Sequence, residues 1–262
     1  MPKITTHAPG TFCWTDLATT DPQGAKQFYA AVFGWKFVDN EVGPGMTYTM
    51  AQLQGEDVAA LYGMPEEELN GGGRPRWQSY VAVADADLVT GKAQELGGTI
   101  LAPPFDVFSH GRMAIIRDPQ GAVFHLWQPR DHVGATLVGE EGTRCWSELM
   151  VRDPEDAARF YAGLFGWTTQ RLEGGPIPYT IFGQEGVEGV GGLMGFPPDC
   201  PEPSPAWLVY YLTWDCDAAA RKVIDAQGKV LKAPADIPGI GRFAIIEDPQ
   251  GAILALFTPQ ER

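Results

Sequence analysis

The chain has 262 residues, 44% of them apolar and 11% aromatic, with 33 acidic against 19 basic side chains for a formal charge of −14. Such an acidic surface repels phosphate backbones and anionic lipid, so nucleic acid and membranes are set aside as partners. The length suits two domains, at a prior of roughly 150 residues each.

The opening segment, "MPKITTHAPGTFCW", has no apolar stretch ahead of a cleavage site, so no secretory signal is expected there. No apolar run reaches the roughly 20 residues of a membrane-spanning helix. Cys13 and Cys145 each precede a Trp in matching stretches, and the four cysteines are too sparse for a disulfide framework. Buried, reduced thiols and a cytoplasmic protein are the expectation.

From Cys13 the sequence alternates like a strand as far as Asp21. Ala25, Phe28, Tyr29, Val32 and Phe33 then recur at helical spacing and predict a buried helical face. Asp21 caps that helix, Pro22 opens it and Gly34 stops it. Three strands are predicted next, over 35–39, 46–53 and 58–62. The order restarts with a strand over 77–84, a helix ending near Gly97, and strands over 99–102, 113–117 and 122–128. "DPQG" at Asp118 and again at Asp248 reads as turn chemistry.

The chain is then written a second time. "GTFCWTDLATTDPQGAKQFYAAVFGW" from Gly10 returns as "GTRCWSELMVRDPEDAARFYAGLFGW" from Gly142, and "RMAIIRDPQGAVFHLWQP" from Arg112 returns as "RFAIIEDPQGAILALFTP" from Arg242. Four βαβββ units follow, an α+β arrangement in two tandem domains over 1–133 and 142–262. A polar linker is expected over 134–141. "MPEEELNGGGRPR" and "GFPPDCPEPSP" occupy matching places and read as mobile loops over the middle of each half. "LNGGGRP" lacks the Lys-Ser/Thr of a phosphate-binding loop. His7, His110 and His132 fall in loops without the context of a nucleophile.

Four such units with "GTxCW…FYxxxFGW" and "DPQGAxxxL" resemble the vicinal-oxygen-chelate superfamily, which includes glyoxalase I, extradiol dioxygenases and bleomycin-resistance proteins. The likeness covers nearly the whole chain and is greatest to two-domain actinobacterial members described as glyoxalase-like or hydroxylase-like. It implies curved mixed sheets around clefts, with a divalent ion in the metal-binding members. The family's ligand positions fall on Trp14, near Ala60, Gln78 and His125 in the first half, and on Trp146, near Gly192, Leu208 and Ala255 in the second. The second half keeps no ligand, because indole offers only a donor and alkyl groups offer nothing to a cation.

Strand alternation predicts Trp14, Asp16, Gln78, Tyr80, His125 and Trp127 facing the first cleft, and Trp146, Glu148, Tyr210 and Phe257 facing the second. The expectation is a small-molecule-binding protein, monomer or homodimer, with aromatic-lined clefts, degenerate metal sites and no cofactor. Aromatic or cationic ligands would suit those clefts. The alternative is a metal-dependent lyase, hydroxylase or dioxygenase in the first cleft, with Gln78, His125 and Asp16 as metal candidates and His125 and Asp16 catalytic. A purely structural alternative has His125 bonded to Asp16 or Gln78. Glu148, a lone carboxylate, needs a partner such as Tyr210.

Overall fold

The computed structural model describes residues 3–172, 178–197 and 204–260. The N-terminal half runs β1 (Phe12–Thr19), α1 (Pro22–Phe33), β2 (Lys36–Gly43), β3 (Met46–Leu53), β4 (Glu56–Gly63), α2 (Glu66–Asn70), β5 (Arg76–Ala82), α3 (Ala86–Glu95), β6 (Thr99–Val107), β7 (Gly111–Arg117) and β8 (Val123–Pro129). The C-terminal half runs β9 (Arg144–Val151), α4 (Pro154–Phe165), β10 (Thr168–Leu172), β11 (Tyr179–Gln184), β12 (Val187–Gly195), β13 (Ala206–Leu212), α5 (Cys216–Asp225), β14 (Lys229–Ile237), β15 (Gly241–Glu247) and β16 (Ile253–Pro259). The fold is α+β, with the four βαβββ units in the expected order.

Each unit starts its helix with the same device. Asp21, Asp85, Asp153 and Asp215 accept from the backbone N–H three residues on, at 3.0, 2.9, 3.0 and 2.8 Å. That satisfies one of the free donors at each helix start. The stretch from Met64 to Arg76, expected as a loop, contains the short helix α2, whose first turn is Glu66, Glu67 and Glu68. Acidic residues at a helix start are favoured by its dipole. Most of "GFPPDCPEPSP" lies outside the described residues. Strand β6 continues past its predicted end through Pro103 and Pro104, which is tolerated because β6 lies at a sheet edge and its register shifts there.

Each half makes one eight-stranded sheet, ordered β2-β3-β4-β1-β5-β8-β7-β6 and β10-β11-β12-β9-β13-β16-β15-β14. Strands β1 and β5 join antiparallel at the centre, and each takes the last strand of its own unit in parallel. One face of each sheet is packed against the other half. Unit one shares a core with unit four, where Phe28, Tyr29 and Phe33 meet Tyr211, Val223 and Leu254. Unit two shares one with unit three, where Phe124 and Leu126 meet Phe160, Tyr161 and Trp167.

Two polar links cross these cores. Tyr29 Oη donates to Asp248 at 2.9 Å and receives Trp77 Nε1–H at 2.9 Å. Its repeat equivalent Tyr161 donates to Asp118 at 3.0 Å and receives Trp207 Nε1–H at 2.9 Å. The other oxygen of Asp118 accepts backbone N–H bonds from Gln120, Gly121 and Ala122. The "DPQG" aspartates are therefore both turn residues and anchors between halves, a second role that turn chemistry alone did not reveal.

The stretch expected as a polar linker is docked. Ala135 N–H donates to the Cys13 carbonyl at 2.8 Å, Thr136 N–H to Asp57 O at 2.9 Å, and Ile4 N–H to Thr136 O at 2.9 Å. Ala135 and Leu137 are buried. Gly134 has φ +110, and a Cβ there would strike the Cys13 carbonyl, so only glycine lets this strap lie so close to β1. No helix among the described residues is long and apolar enough to cross a membrane.

Candidate functional site

The sheet faces turned away from the other half carry two smaller clusters, each drawn from one half. Trp14, Ala60, Tyr80 and Trp127 gather with Ala135 of the strap and partly buried Tyr48, Met50 and Met113. Leu208, Tyr210 and Ala255 gather with Trp146, Met150, Phe243, Ile245 and Phe257. These are the sheet faces the alternation implied, and the first is closely packed, with Trp14, Tyr80 and Trp127 all buried.

In the N-terminal cleft, register sets Asp16 beside Ala60 on β4 and Gln78 on β5, and sets Trp14 beside Tyr80. Asp16 is buried and accepts from Gln78 Nε2 at 2.8 Å, Tyr80 Oη at 2.8 Å and Tyr48 Oη at 3.0 Å. Trp14 Nε1–H donates to Tyr48 Oη at 2.9 Å, and Gln78 Nε2 also donates to Tyr62 Oη at 2.9 Å. Burial raises the Asp16 carboxyl to about 6, against the pull of hydrogen bonds from Tyr80, Gln78 and Tyr48 and of the Arg76 charge. Burial and the Asp16 charge push Tyr48 and Tyr80 well above the ordinary phenol range, so both remain donors.

His125 lies next to this network without joining it. It pairs in register with Tyr80 and Ile115, and its ring centroid is 4.4 Å from that of Tyr80. It is 2% exposed, yet neither Nδ1 nor Nε2 has a hydrogen-bond partner. The bond to Asp16 or Gln78 expected for a structural histidine is not made, because those two groups satisfy each other. Burial, and secondarily the Arg76 charge, lower its pKa to about 3, so the imidazole is neutral. A buried polar group left unpaired costs about 1–3 kcal/mol.

The C-terminal cleft repeats the network in reduced form. Trp146 Nε1–H donates to Tyr179 Oη at 2.9 Å, and Tyr210 Oη donates to Glu148 at 2.9 Å. The expected Tyr210–Glu148 pairing is present. Burial raises the Glu148 carboxyl, opposed by the Tyr210 and Tyr179 hydroxyls. Gly192 pairs in register with Glu148, and a Cβ there would collide with Tyr179 Oη, so this tyrosine reaches the carboxylate only over a glycine. Leu208 stands in place of Gln78, Met194 of Tyr62, Ala255 of His125 and Phe257 of Trp127.

Sequence reasoning missed Tyr48, Tyr62 and Tyr179. Tyr48 and Tyr179 hold matching repeat positions, in "TYT" and "PYT", and that identity was a usable signal. It also missed His132, whose ring meets Trp14 edge-on at 4.7 Å while its carbonyl accepts Trp127 Nε1–H at 2.8 Å. Trp14 and Trp127 are buried, whereas Trp146 and Phe257 are only partly so.

As arranged, the side chains at the family's ligand positions do not converge on a divalent ion. Trp146, Gly192, Leu208 and Ala255 present no side-chain lone pair suited to one. In the N-terminal cleft Gln78 directs its donor nitrogen at Asp16 and Tyr62, and both Asp16 oxygens accept hydrogen bonds. His125 makes no bond to either. Among the described residues no group of three His, Cys, Asp or Glu converges as a metal site.

The model of the Glyoxalase/Bleomycin resistance protein/Dioxygenase superfamily matches residues 11–126 and 132–256. The chain belongs to that superfamily. Among its relatives, "Putative glyoxylase CFP32" of Mycobacterium tuberculosis is 44% identical over 261 residues, spanning 99% of this chain and 98% of that protein. "Anthracycline biosynthesis protein DnrV" of Streptomyces peucetius is 34% identical over 265 residues, spanning 95% and 93%. The Mn(II)-bound glyoxalase of Novosphingobium aromaticivorans superposes with a TM-score of 0.67 at 15% identity over 97% of this chain and 83% of its own. That last likeness establishes the fold alone. This member of the superfamily combines tandem glyoxalase-like domains with a carboxylate–tyrosine–tryptophan network in each half.

Proposed function

We propose that the protein binds small planar molecules in its two clefts, through aromatic walls and polar networks rather than a chelated metal. The observation that carries this reading is the network itself. At the family's ligand positions the N-terminal cleft directs Gln78 at Asp16, and the C-terminal cleft offers Leu208 and Ala255. A carboxylate held by tyrosine hydroxyls, walled by Trp14, Tyr80 and Trp127, is a rigid surface for a flat ligand. The name of the Streptomyces relative supports the same class, since anthracyclines are planar and aromatic. The free thiols Cys13, Cys145 and Cys216 suit a reducing cytoplasm.

The second reading is an enzyme acting in the N-terminal cleft, of the lyase, hydroxylase or dioxygenase kind. The raised carboxyl of Asp16 favours it, because a group titrating near 6 suits proton transfer. As a metal enzyme it would require Gln78 to turn away from Asp16.

Elemental mass spectrometry after incubation with Zn, Fe(II), Mn and Ni, beside a thermal-shift screen of planar aromatics, separates the two. Binding without metal supports the first reading, because a ligand of the native state must stabilise it. Near one equivalent of metal, lost in His125→Ala, would replace it with the second.

A further inference from the structure

The N-terminal cleft contains one polar group that the protein leaves unused. His125 is almost wholly buried, packs its ring against Tyr80, and has both ring nitrogens unpartnered. Its counterpart Ala255, paired with Tyr210 in the same register, leaves no polar atom over. The fold therefore does not require an imidazole at this place.

The surroundings restrict what could pair with it. Asp16 already accepts three hydrogen bonds and carries the local negative charge, which disfavours an anion. The Arg76 charge acts against a cation at His125, and Arg76 is itself paired with Glu68. The walls are the aromatic side chains of Trp14, Tyr80 and Trp127, with unbranched Met50 and Met113 packed against them. Methionine is unbranched and repacks readily, so a flat ligand would enter by displacing these two side chains. A neutral imidazole supplies one acceptor and one donor.

Resting on the reading of this cleft as a ligand site, we propose that His125 is its specificity group for a neutral, hydroxylated aromatic ring system. The ligand hydroxyl donates to one imidazole nitrogen, and the N–H of the other donates to a second oxygen on the ligand or to water it carries. The C-terminal cleft, with Leu208 and Ala255, does not make this distinction and takes rings without regard to the hydroxyl.

The test uses the full chain and three probes of one shape: 2-naphthol, 2-methoxynaphthalene and naphthalene. Equilibrium dialysis gives affinities, and 15N spectra of histidine-labelled protein report the site, since the chain has only four histidines. The site whose occupancy moves the His125 signals should prefer 2-naphthol over 2-methoxynaphthalene by about tenfold, the scale of one hydrogen bond to a buried group, while the second site should bind both alike. The His125 ring signals should move with 2-naphthol and not with naphthalene beyond a ring-current effect. His125→Ala, which copies the residue tolerated at position 255, should erase the preference and leave 2-methoxynaphthalene affinity within about twofold. His125→Gln, which keeps a donor and an acceptor, should retain part of it. Equal affinity of all three probes at the site reported by the His125 signals, or a preference that survives in His125→Ala, would overturn the role of His125 while leaving the cleft a binding site. Failure of every probe to bind would overturn the cleft reading and this inference with it.

Discussion

The N-terminal cleft sets Gln78, Tyr62 and His125 around its carboxylate, whereas the C-terminal cleft sets Leu208, Met194 and Ala255 around its own. Both retain a Trp–Tyr–carboxylate–Tyr path, as Trp14–Tyr48–Asp16–Tyr80 and Trp146–Tyr179–Glu148–Tyr210. What the halves share is the network that satisfies a buried carboxylate. What differs is the hydrogen-bonding capacity left over for a ligand, and the strap that covers only the first cleft among the described residues. The scaffold is common to both clusters, while the side chains around the carboxylate differ, with Leu208, Met194 and Ala255 where the first half has Gln78, Tyr62 and His125.

The largest effect should come where the halves are alike. Asp118→Ala leaves three turn N–H groups and the Tyr161 hydroxyl without their acceptor, and Asp248→Ala does the same to its own turn and Tyr29. Each should cost about 4 kcal/mol in urea unfolding, at roughly 1–3 kcal/mol per unsatisfied buried group with partial relaxation. The two losses should agree within about 1 kcal/mol. A large inequality would show that the cores between the halves are not equivalent.

Next in size is a contrast between equivalent tryptophans. Trp14→Ala removes a buried indole and the donor to Tyr48, and should cost about 3–5 kcal/mol. Trp146→Ala removes a half-buried one, and should cost about 1–2 kcal/mol less. Equal costs in unfolding titrations would contradict the idea that the strap encloses only the first cleft.

Acid sharpens the comparison further. Burial holds His125 at about 3, so between there and 6.5 the unfolded chain binds a proton that the native state refuses, and stability rises with pH. Burial raises Asp16 from 3.8 to about 6, so in that window the native state binds the extra proton and stability falls as pH rises. The two oppose each other in the first cleft. Glu148 is raised in the same sense as Asp16, with Ala255 where the imidazole would be. His125→Leu should therefore gain on the native chain by up to about 1.4 kcal/mol per pH unit on acidification below 6.5, read from urea melts at pH 4.5–7.5. A constant gap would mean that His125 titrates as an ordinary imidazole.

Most of the fold was legible because it is local chemistry written four times: an Asp cap, an apolar helical face, alternating strands and a repeated turn. The cleft-facing rows followed from period-two alternation on strands flanking a recognisable helix. The network's missing tyrosines lie on strands β3, β4 and β11, away from the central pair, and which side chains meet across a sheet depends on register. The sequence also could not show that Asp118 reaches Tyr161, since the partners lie 43 residues apart in different halves. The docking of the strap was not legible because its composition is polar while its backbone is what docks, through the Cys13 and Asp57 carbonyls.

The smallest effect concerns the turn that leads into that strap. His132 contributes an edge-on ring contact to Trp14 at 4.7 Å and a looser one to Trp127 at 5.9 Å, while its backbone carbonyl holds Trp127 Nε1–H. His132→Ala removes the ring contacts and leaves the carbonyl, so stability should fall by only about 0.5–1.5 kcal/mol. Its consequence for binding is kinetic. With one side wall of the first cleft removed, 2-naphthol should reach His125 faster, and both association and dissociation should accelerate in stopped-flow traces with little change in their ratio. The C-terminal cleft, with a half-buried Trp146, should exchange its ligand at the same rate in both proteins. If His132→Ala leaves both clefts' rates unchanged, the strap is a structural seam and the difference in access between the clefts must come from Trp127 against Phe257.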